Sequence, residues 1–196
     1  NPVQGGVPTL TKQQLIDLLG ITDENIEGLW NLNGNFNDLS ANGYNLTAAA
    51  GAAAPTDSSD GLMAQAKDFE SSASQYASIA DASCPNLEIS GAKTFIVFVK
   101  PETVNAAMGI VMKGNSGASE FTGLTQTAAG NFMYYNEIGE AITSDVVAQA
   151  GKWYMVVGVS DVSGNTKKIW VNGIKKSSAG CTTSTDTNGD FAIGKL

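Results

Sequence analysis

The stretch that most constrains this chain is Gly151-Lys-Trp-Tyr-Met-Val-Val-Gly-Val-Ser-Asp-Val-Ser-Gly-Asn-Thr-Lys-Lys-Ile-Trp-Val-Asn-Gly173. Two runs with apolar residues at alternate positions flank a turn of Asp, Ser, Gly and Asn, and Asn172-Gly173 marks a second turn. Period-two alternation belongs to strands, and this punctuation is the strongest short-range signal of a hairpin. Trp153, Met155, Val157 and Val159 fall on one face of the first strand, and Ile169 and Val171 on one face of the second. Such a hairpin needs a second layer to cover its apolar face. Trp30 and Trp153 are expected in that core.

The remaining segments supply strands for such layers. Residues 28–32 read as a strand, and Asn33-Gly34 and Asn42-Gly43 as turns on either side of residues 36–40. Residues 48–60 are rich in Ala, Gly, Ser and Pro and read as a long surface loop. Phe69 and residues 76–80 suggest short strands, and residues 84–89 a single helical turn. Residues 94–100 are apolar on both faces, which predicts a central strand covered on both sides. Residues 108–113, 121–125 and 131–136 read as a meander, and residues 189–194 as the last strand. No repeat of 20–50 residues occurs, which excludes propellers and solenoids. The predicted fold class is all-β: a two-sheet antiparallel jelly-roll sandwich with a short N-terminal helix. That helix follows from the Thr11-x-x-Gln14 capping box, Leu15, Ile16, Leu18 and Leu19 at helical spacing, and Gly20 at the C-cap. A half-turn is expected at residues 23–26. The predicted boundaries are 1–27 for an extension carrying the helix and 28–196 for the sandwich. The helix docks on that sandwich or on a neighbouring subunit.

Composition removes several functions. With 196 residues, 42% hydrophobic and 15% charged, the chain is globular and long enough for a sizeable core. Its eleven basic residues are all lysine, it has no His, and its net charge is −8, which argues against nucleic acid as a partner. Without His there is no imidazole base, no Ser-His-Asp triad and no His metal site. Without Arg there is no bidentate clamp for carboxylate or phosphate. No run of about eighteen apolar residues marks a membrane span. The sequence begins at Asn1 rather than Met, which we read as processing or as a piece of a longer chain. Cys84 and Cys181 lie in loop-like stretches. One bridge between them would close a loop worth ~4–5 kcal/mol by chain entropy, and the alternative is two free thiols.

Gly28-Leu-Trp with Asn37-Asp38-Leu-Ser-Ala-Asn-Gly43 resembles the opening of the laminin-G-like family, within the concanavalin-A-like lectin/glucanase superfamily. Phe69 with Tyr76-Ala-Ser-Ile79, then Thr94-Phe-Ile-Val-Phe-Val-Lys100, resemble its next segments. Lys152-Trp-Tyr-Met-Val-Val-Gly-Val-Ser-Asp161 with Lys168-Ile-Trp-Val-Asn-Gly173 is similar to its signature hairpin, and Phe191-Ala-Ile-Gly194 to a late strand. The resemblance covers roughly residue 28 to the end. Met155 stands where the family often has His, and the family usually continues beyond the Phe191 segment with a final strand. A sandwich without that strand has an open edge, which the N-terminal segment or a strand of another chain would fill. Self-association is therefore an expected kind of partnership.

Function follows from what the residues offer. The Glu-x-Asp-x-x-Glu spacing of the superfamily's glucanases is absent. Asp23, Glu24 and Glu27 lie in helical sequence, and Glu137 and Glu140 flank a turn, so no enzyme activity is expected. The resemblance places calcium near turns such as that of Asn35, Asn37 and Asp38, whose alternative role is Asx hydrogen bonding within the turn. Asp186-Thr-Asn-Gly-Asp190 reads as a turn rather than a calcium loop, and Asn45-Leu-Thr47 is a glycosylation sequon by pattern. For sugar, Trp170 alternates outward beside Asn172, and Tyr134, Tyr135 and Asn136 form a second candidate group; packing is the alternative for both. The reading is a non-catalytic extracellular lectin-like module that recognises a glycan or surface polymer in adhesion. Its rival is a structural assembly subunit of a surface filament, fibre or virion.

Overall fold

The computed structural model describes residues 11–49, 53–62, 64–114, 121–137, 139–181 and 188–195. They group into two compact units, Asn1–Ile79 and Ala80–Leu196. The lead-in at residues 1–10 and the first two residues of the predicted turn at residues 186–190 lie outside the described residues.

The first unit opens with helix α1, Lys12–Leu19. The Thr11 hydroxyl accepts from Gln14 N, the Gln14 side chain accepts from Thr11 N, and Gly20 ends the helix in the left-handed conformation. A 3-10 turn follows at Asp23–Asn25. The strand predicted at residues 28–32 is reduced to a single bridge between Trp30 and Asp38. The chain here is held by side-chain bonds to backbone instead of a ladder. The unit's strands are β1 (Thr47–Ala48), β2 (Thr56–Gly61), β3 (Ala64–Asp68) and β4 (Ala77–Ile79). β2 and β3 form a hairpin where a surface loop was expected. The sequence Thr-Asp-Ser-Ser-Asp-Gly hides that strand because almost none of it is buried, so it shows no apolar alternation.

The second unit contains β5 (Lys93–Val99), β6 (Met108–Gly114), β7 (Phe121–Gln126), β8 (Asn131–Glu137), β9 (Glu140–Val147), β10 (Tyr154–Asp161), β11 (Thr166–Val171), β12 (Ile174–Ala179) and β13 (Phe191–Ile193). One sheet runs β13-β6-β7-β8-β9, and the other, four-stranded, runs β12-β11-β10-β5. All their pairings are antiparallel. The chain is an all-β, two-sheet antiparallel jelly-roll sandwich with a short N-terminal helix. The helical turn expected at residues 84–89 is two 3-10 turns, Asp81–Ser83 and Pro85–Leu87. β9 and β12 are additions to the strands read from sequence.

The hairpin of residues 151–173 is β10 and β11, with Val156 opposite Val171 and Gly158 opposite Ile169. Its Asn172-Gly173 turn has positive φ at both residues, as a two-residue hairpin turn requires. The buried face, however, is Tyr154, Val156, Gly158 and Ser160, together with Ile169 and Val171. Trp153, Met155, Val157 and Val159 lie on the opposite face and are half-buried, so Trp153 is outside the principal core. Trp30 is likewise half-buried. Gly158 explains the choice of face. A Cβ there would stand 2.4 Å from the Tyr134 ring, so the absent side chain makes room for an aromatic from the facing sheet. β5 also departs from expectation. It ends its sheet, and Ile96 and Phe98 on its outer face are 36% and 37% exposed.

Candidate functional site

Among the predicted sugar-contacting residues, the structure separates three places. Tyr134 and Asn136 point between the sheets and are fully buried. The Tyr134 hydroxyl lies 3.1 Å from Ser160 Oγ, and its ring packs 6.2 Å from Phe95. Burial pushes the Tyr134 phenol up to about 12, so it stays neutral. These two are interior residues, and neither is placed to stack on a ligand. Tyr135 sits on the other face of β8, half-buried, with its ring 4.9 Å from that of Phe121.

Trp170 and Asn172 occupy the third place. Trp170 is directly opposite Val157 on one side and Lys175 on the other, and Val157 is in turn opposite Ile96. Opposed residues share a face, so Trp170, Val157 and Ile96 form a row across the outer face of the four-stranded sheet. Met155 and Phe98 form the adjacent row. Asn172 stands exposed at the end of β11. Its N–H donates to Met155 O (2.9 Å) and its Oδ1 accepts from Met155 N (3.0 Å), which pins the turn beside this apolar strip. The side-chain oxygen is used in the turn, while the amide nitrogen keeps donors for a ligand hydroxyl. The arrangement is a half-buried indole on a rigid sheet, flanked by an exposed amide and the exposed Lys175.

The predicted metal turn is built differently. Asp38 is buried and accepts four hydrogen bonds: Oδ1 from Leu29 N (2.8 Å) and Ser40 N (2.8 Å), Oδ2 from Ser40 Oγ (2.6 Å) and Tyr44 N (2.8 Å). Asn35 Oδ1 accepts from Asn37 N at 2.9 Å, an Asx turn. Calcium needs carboxylate lone pairs directed at the ion, and here N–H and O–H donors fill them. The residues do not fit calcium in this arrangement. They close a loop whose other fastening is Trp30 Nε1 donating to Tyr44 O at 2.9 Å.

Cys84 and Cys181 are free, buried thiols, not the expected bridge. The Cys84 sulfur lies 3.5 Å from Ala80 O, within its own helical turn, and the Cys181 sulfur 3.5 Å from Asp161 O. Burial raises the Cys84 pKa, which keeps that thiol protonated and unreactive.

Sequence reasoning overlooked three buried lysines. Lys93 Nζ donates to Ile89 O at 2.9 Å, and burial lowers its pKa to about 8. Lys113, 1% exposed, donates to Asp81 Oδ1 and to Gly189 O (2.7 Å); this bond and the nearby ammonium hold the Asp81 carboxyl below its usual range. Lys167 donates to Gly180 O at 2.6 Å and lies 3.6 Å from Glu140 Oε2. A signal existed for two of them. Lys93 alternates with Phe95, Val97 and Val99, and Lys167 with Ile169 and Val171, which places both on inward faces. Glu137 and Glu140 pair across the β8–β9 hairpin.

Residues 71–196 match the family described as the concanavalin A-like lectin/glucanases superfamily. The chain belongs to that family. No curated protein sequence matches it. Among solved structures it is similar to domain 4 of AbnA, a GH43 extracellular arabinanase from Geobacillus stearothermophilus, in complex with arabinotriose. That match has a TM-score of 0.65 at 18% identity and covers 83% of this chain and 79% of the other. A CBM40 of the Ruminococcus gnavus IT-sialidase, bound to alpha2,3 sialyllactose, has a TM-score of 0.49 at 17% identity, over 58% of this chain and 69% of that one. Mouse laminin alpha1 domains LG4-5 have a TM-score of 0.44 at 13% identity, over 55% and 29%.

Proposed function

We propose that this protein is a carbohydrate-binding module without catalytic activity, and that Trp170 is its stacking platform. The observation that carries this reading is the outer face of the four-stranded sheet. There a half-buried indole lies in a continuous apolar row, with an exposed amide and an exposed ammonium at its rim. A pyranose or furanose ring offers a C–H face to an indole and hydroxyls to the neighbouring donors, so affinity and orientation come from different residues. A domain of similar fold is known in complex with arabinotriose, which favours a neutral oligosaccharide as ligand. The net charge of −8 points the same way, since it disfavours polyanionic glycans at long range. In this reading the module acts outside the cell, holding its parent protein on a glycan or surface polymer.

Titration calorimetry with arabino-, xylo- and gluco-oligosaccharides tests it. Binding by the intact chain, lost in Trp170→Ala and weakened in Asn172→Ala while both variants keep a folded near-ultraviolet dichroism spectrum, is the expected result. No binding to any of these sugars, or full binding by Trp170→Ala, would sink it. The exposed Ile96 and Phe98 on the terminal strand β5 favour a second reading, self-assembly through that edge. Mass photometry separates the two: glycan binding by a monomer supports the module, and spontaneous oligomers without glycan binding support assembly.

A further inference from the structure

We propose that Lys167 and Asn136 form a covalent cross-link between the two sheets, an isopeptide bond made autocatalytically with Glu140 as the proton carrier. The argument starts from placement. Asn136 is on β8 in one sheet, sharing the inward face with Phe132 and Tyr134, and all three are fully buried. Lys167 is on β11 in the other sheet, sharing the inward face with Ile169 and Val171, and is 5% exposed. Glu140 opens β9, and one of its oxygens serves both partners. Oε2 lies 3.3 Å from Asn136 Nδ2 and 3.6 Å from Lys167 Nζ. A lysine amine, a carboxamide and a carboxyl group thus meet in a largely dry space between the sheets.

The chemistry of these three groups is complementary. Attack on an amide carbon uses the lone pair of the free-amine form of Lys167 Nζ. A primary amide is a poor electrophile in water, but holding the amide and the amine on the same carboxylate makes the attack an intramolecular step. Nζ attacks Asn136 Cγ, and Glu140 accepts the proton that Nζ loses. Glu140 then returns a proton to Nδ2 as the Cγ–Nδ2 bond breaks. The products are a secondary amide between Nζ and Cγ and one molecule of ammonia. Nothing is oxidised or reduced, and no co-reactant is needed. The bond would fasten β8 to β11 where the chain's two cysteines are both free and supply no bridge.

Intact-mass spectrometry of the purified, folded chain is the test. The expected mass is below that of the sequence by one ammonia, and peptide mapping should give one branched peptide joining Asn136 to Lys167. Lys167→Arg should restore the unlinked mass, and Glu140→Gln should do so while retaining a folded near-ultraviolet dichroism spectrum. Lys93→Arg, which alters the buried lysine bonded to Ile89 O, should leave the ammonia loss intact. The full sequence mass in the unaltered chain overturns the proposal, even if the variants fail to fold. Loss of a water instead, which would mean a Lys167–Glu140 bond, overturns it too. So does an ammonia loss that persists in Lys167→Arg, or a link that still forms in Glu140→Gln.

Discussion

The loop closed by Asp38 and the interior beneath Tyr134 both bury polar groups, and they satisfy them by opposite means. Asp38 reaches donors at Leu29, Ser40 and Tyr44, all close by in sequence. Tyr134 reaches Ser160 on the facing sheet, Lys167 reaches Glu140 across the same gap, and Lys113 reaches Asp81 and Gly189. The first is a local knot of hydrogen bonds that substitutes for strand pairing. The second is a set of long-range polar contacts, of which those of Tyr134 and Lys167 exist only because two sheets have closed on one another. The lesson is that a buried charge is tolerated in this fold through its partners, which are near in sequence for Asp38 and distant for Lys113 and Lys167.

Breaking each region should give different signatures. The largest effect is expected at the loop. Asp38→Ala leaves several N–H and O–H donors without an acceptor and should cost about 3–5 kcal/mol at neutral pH. Denaturation by urea, followed by tryptophan fluorescence, measures it; a loss under ~1 kcal/mol would mean that water replaces the carboxylate. Chelator should leave the melting temperature of the unaltered chain unchanged, because donors fill the lone pairs a cation would use.

Next is the interior ion pair. Asp81→Asn leaves the buried Lys113 ammonium without its anion and should destabilise by ~2–4 kcal/mol, whereas Lys113→Met, which removes the charge itself, should cost less. The pH dependence carries the sign. The Asp81 carboxyl is held low in the folded state, so its contribution is present above the unfolded carboxyl pKa of about 3.9 and disappears as pH falls through the lower folded value. Acid titration of the melting temperature should show that fall in the unaltered chain, and Asp81→Asn should flatten it.

Lys93 sharpens the contrast from the alkaline side. Its folded pKa of about 8 is below the unfolded value of about 10.4, so the unfolded chain binds more protons in that interval. Stability should therefore rise as pH goes from 8 to 10. Lys93→Met should abolish that slope; a slope that remains would place its origin elsewhere. The smallest effects belong to the tyrosine contact. Tyr134→Phe should cost about 1 kcal/mol through the lost Ser160 bond. Gly158→Ala should cost ~1–3 kcal/mol, because the added methyl meets the Tyr134 ring. The double variant should depart from additivity, as neighbours in contact do.

The sequence was informative where structure is local. The capping box of α1, the turn at Asn172-Gly173 and the alternation of β10 and β11 each depend on residues a few positions apart. The polar hairpin β2–β3 was illegible, because a strand with nothing buried has no hydrophobic period. The candidate site was legible in half: Trp170 and Asn172 share the outer face read for them, whereas Tyr134 and Asn136 turned inward. Alternation separates the two faces of a strand without saying which of them meets the second sheet.

Residue types and their spacing by themselves determined an all-β chain without imidazole or guanidinium chemistry, together with its principal hairpin. Tertiary structure alone decided which side of that hairpin is the core. Gly158 admits the Tyr134 ring from the facing sheet, and this turns Tyr154, Val156 and Ser160 inward and leaves Trp153 and Trp170 on the outer face. It also decided which lysines are buried. Lys93 is received locally by Ile89 O, but Lys113 is buried because Asp81 and Gly189, distant in sequence, are there to receive it, and sequence spacing does not encode that meeting.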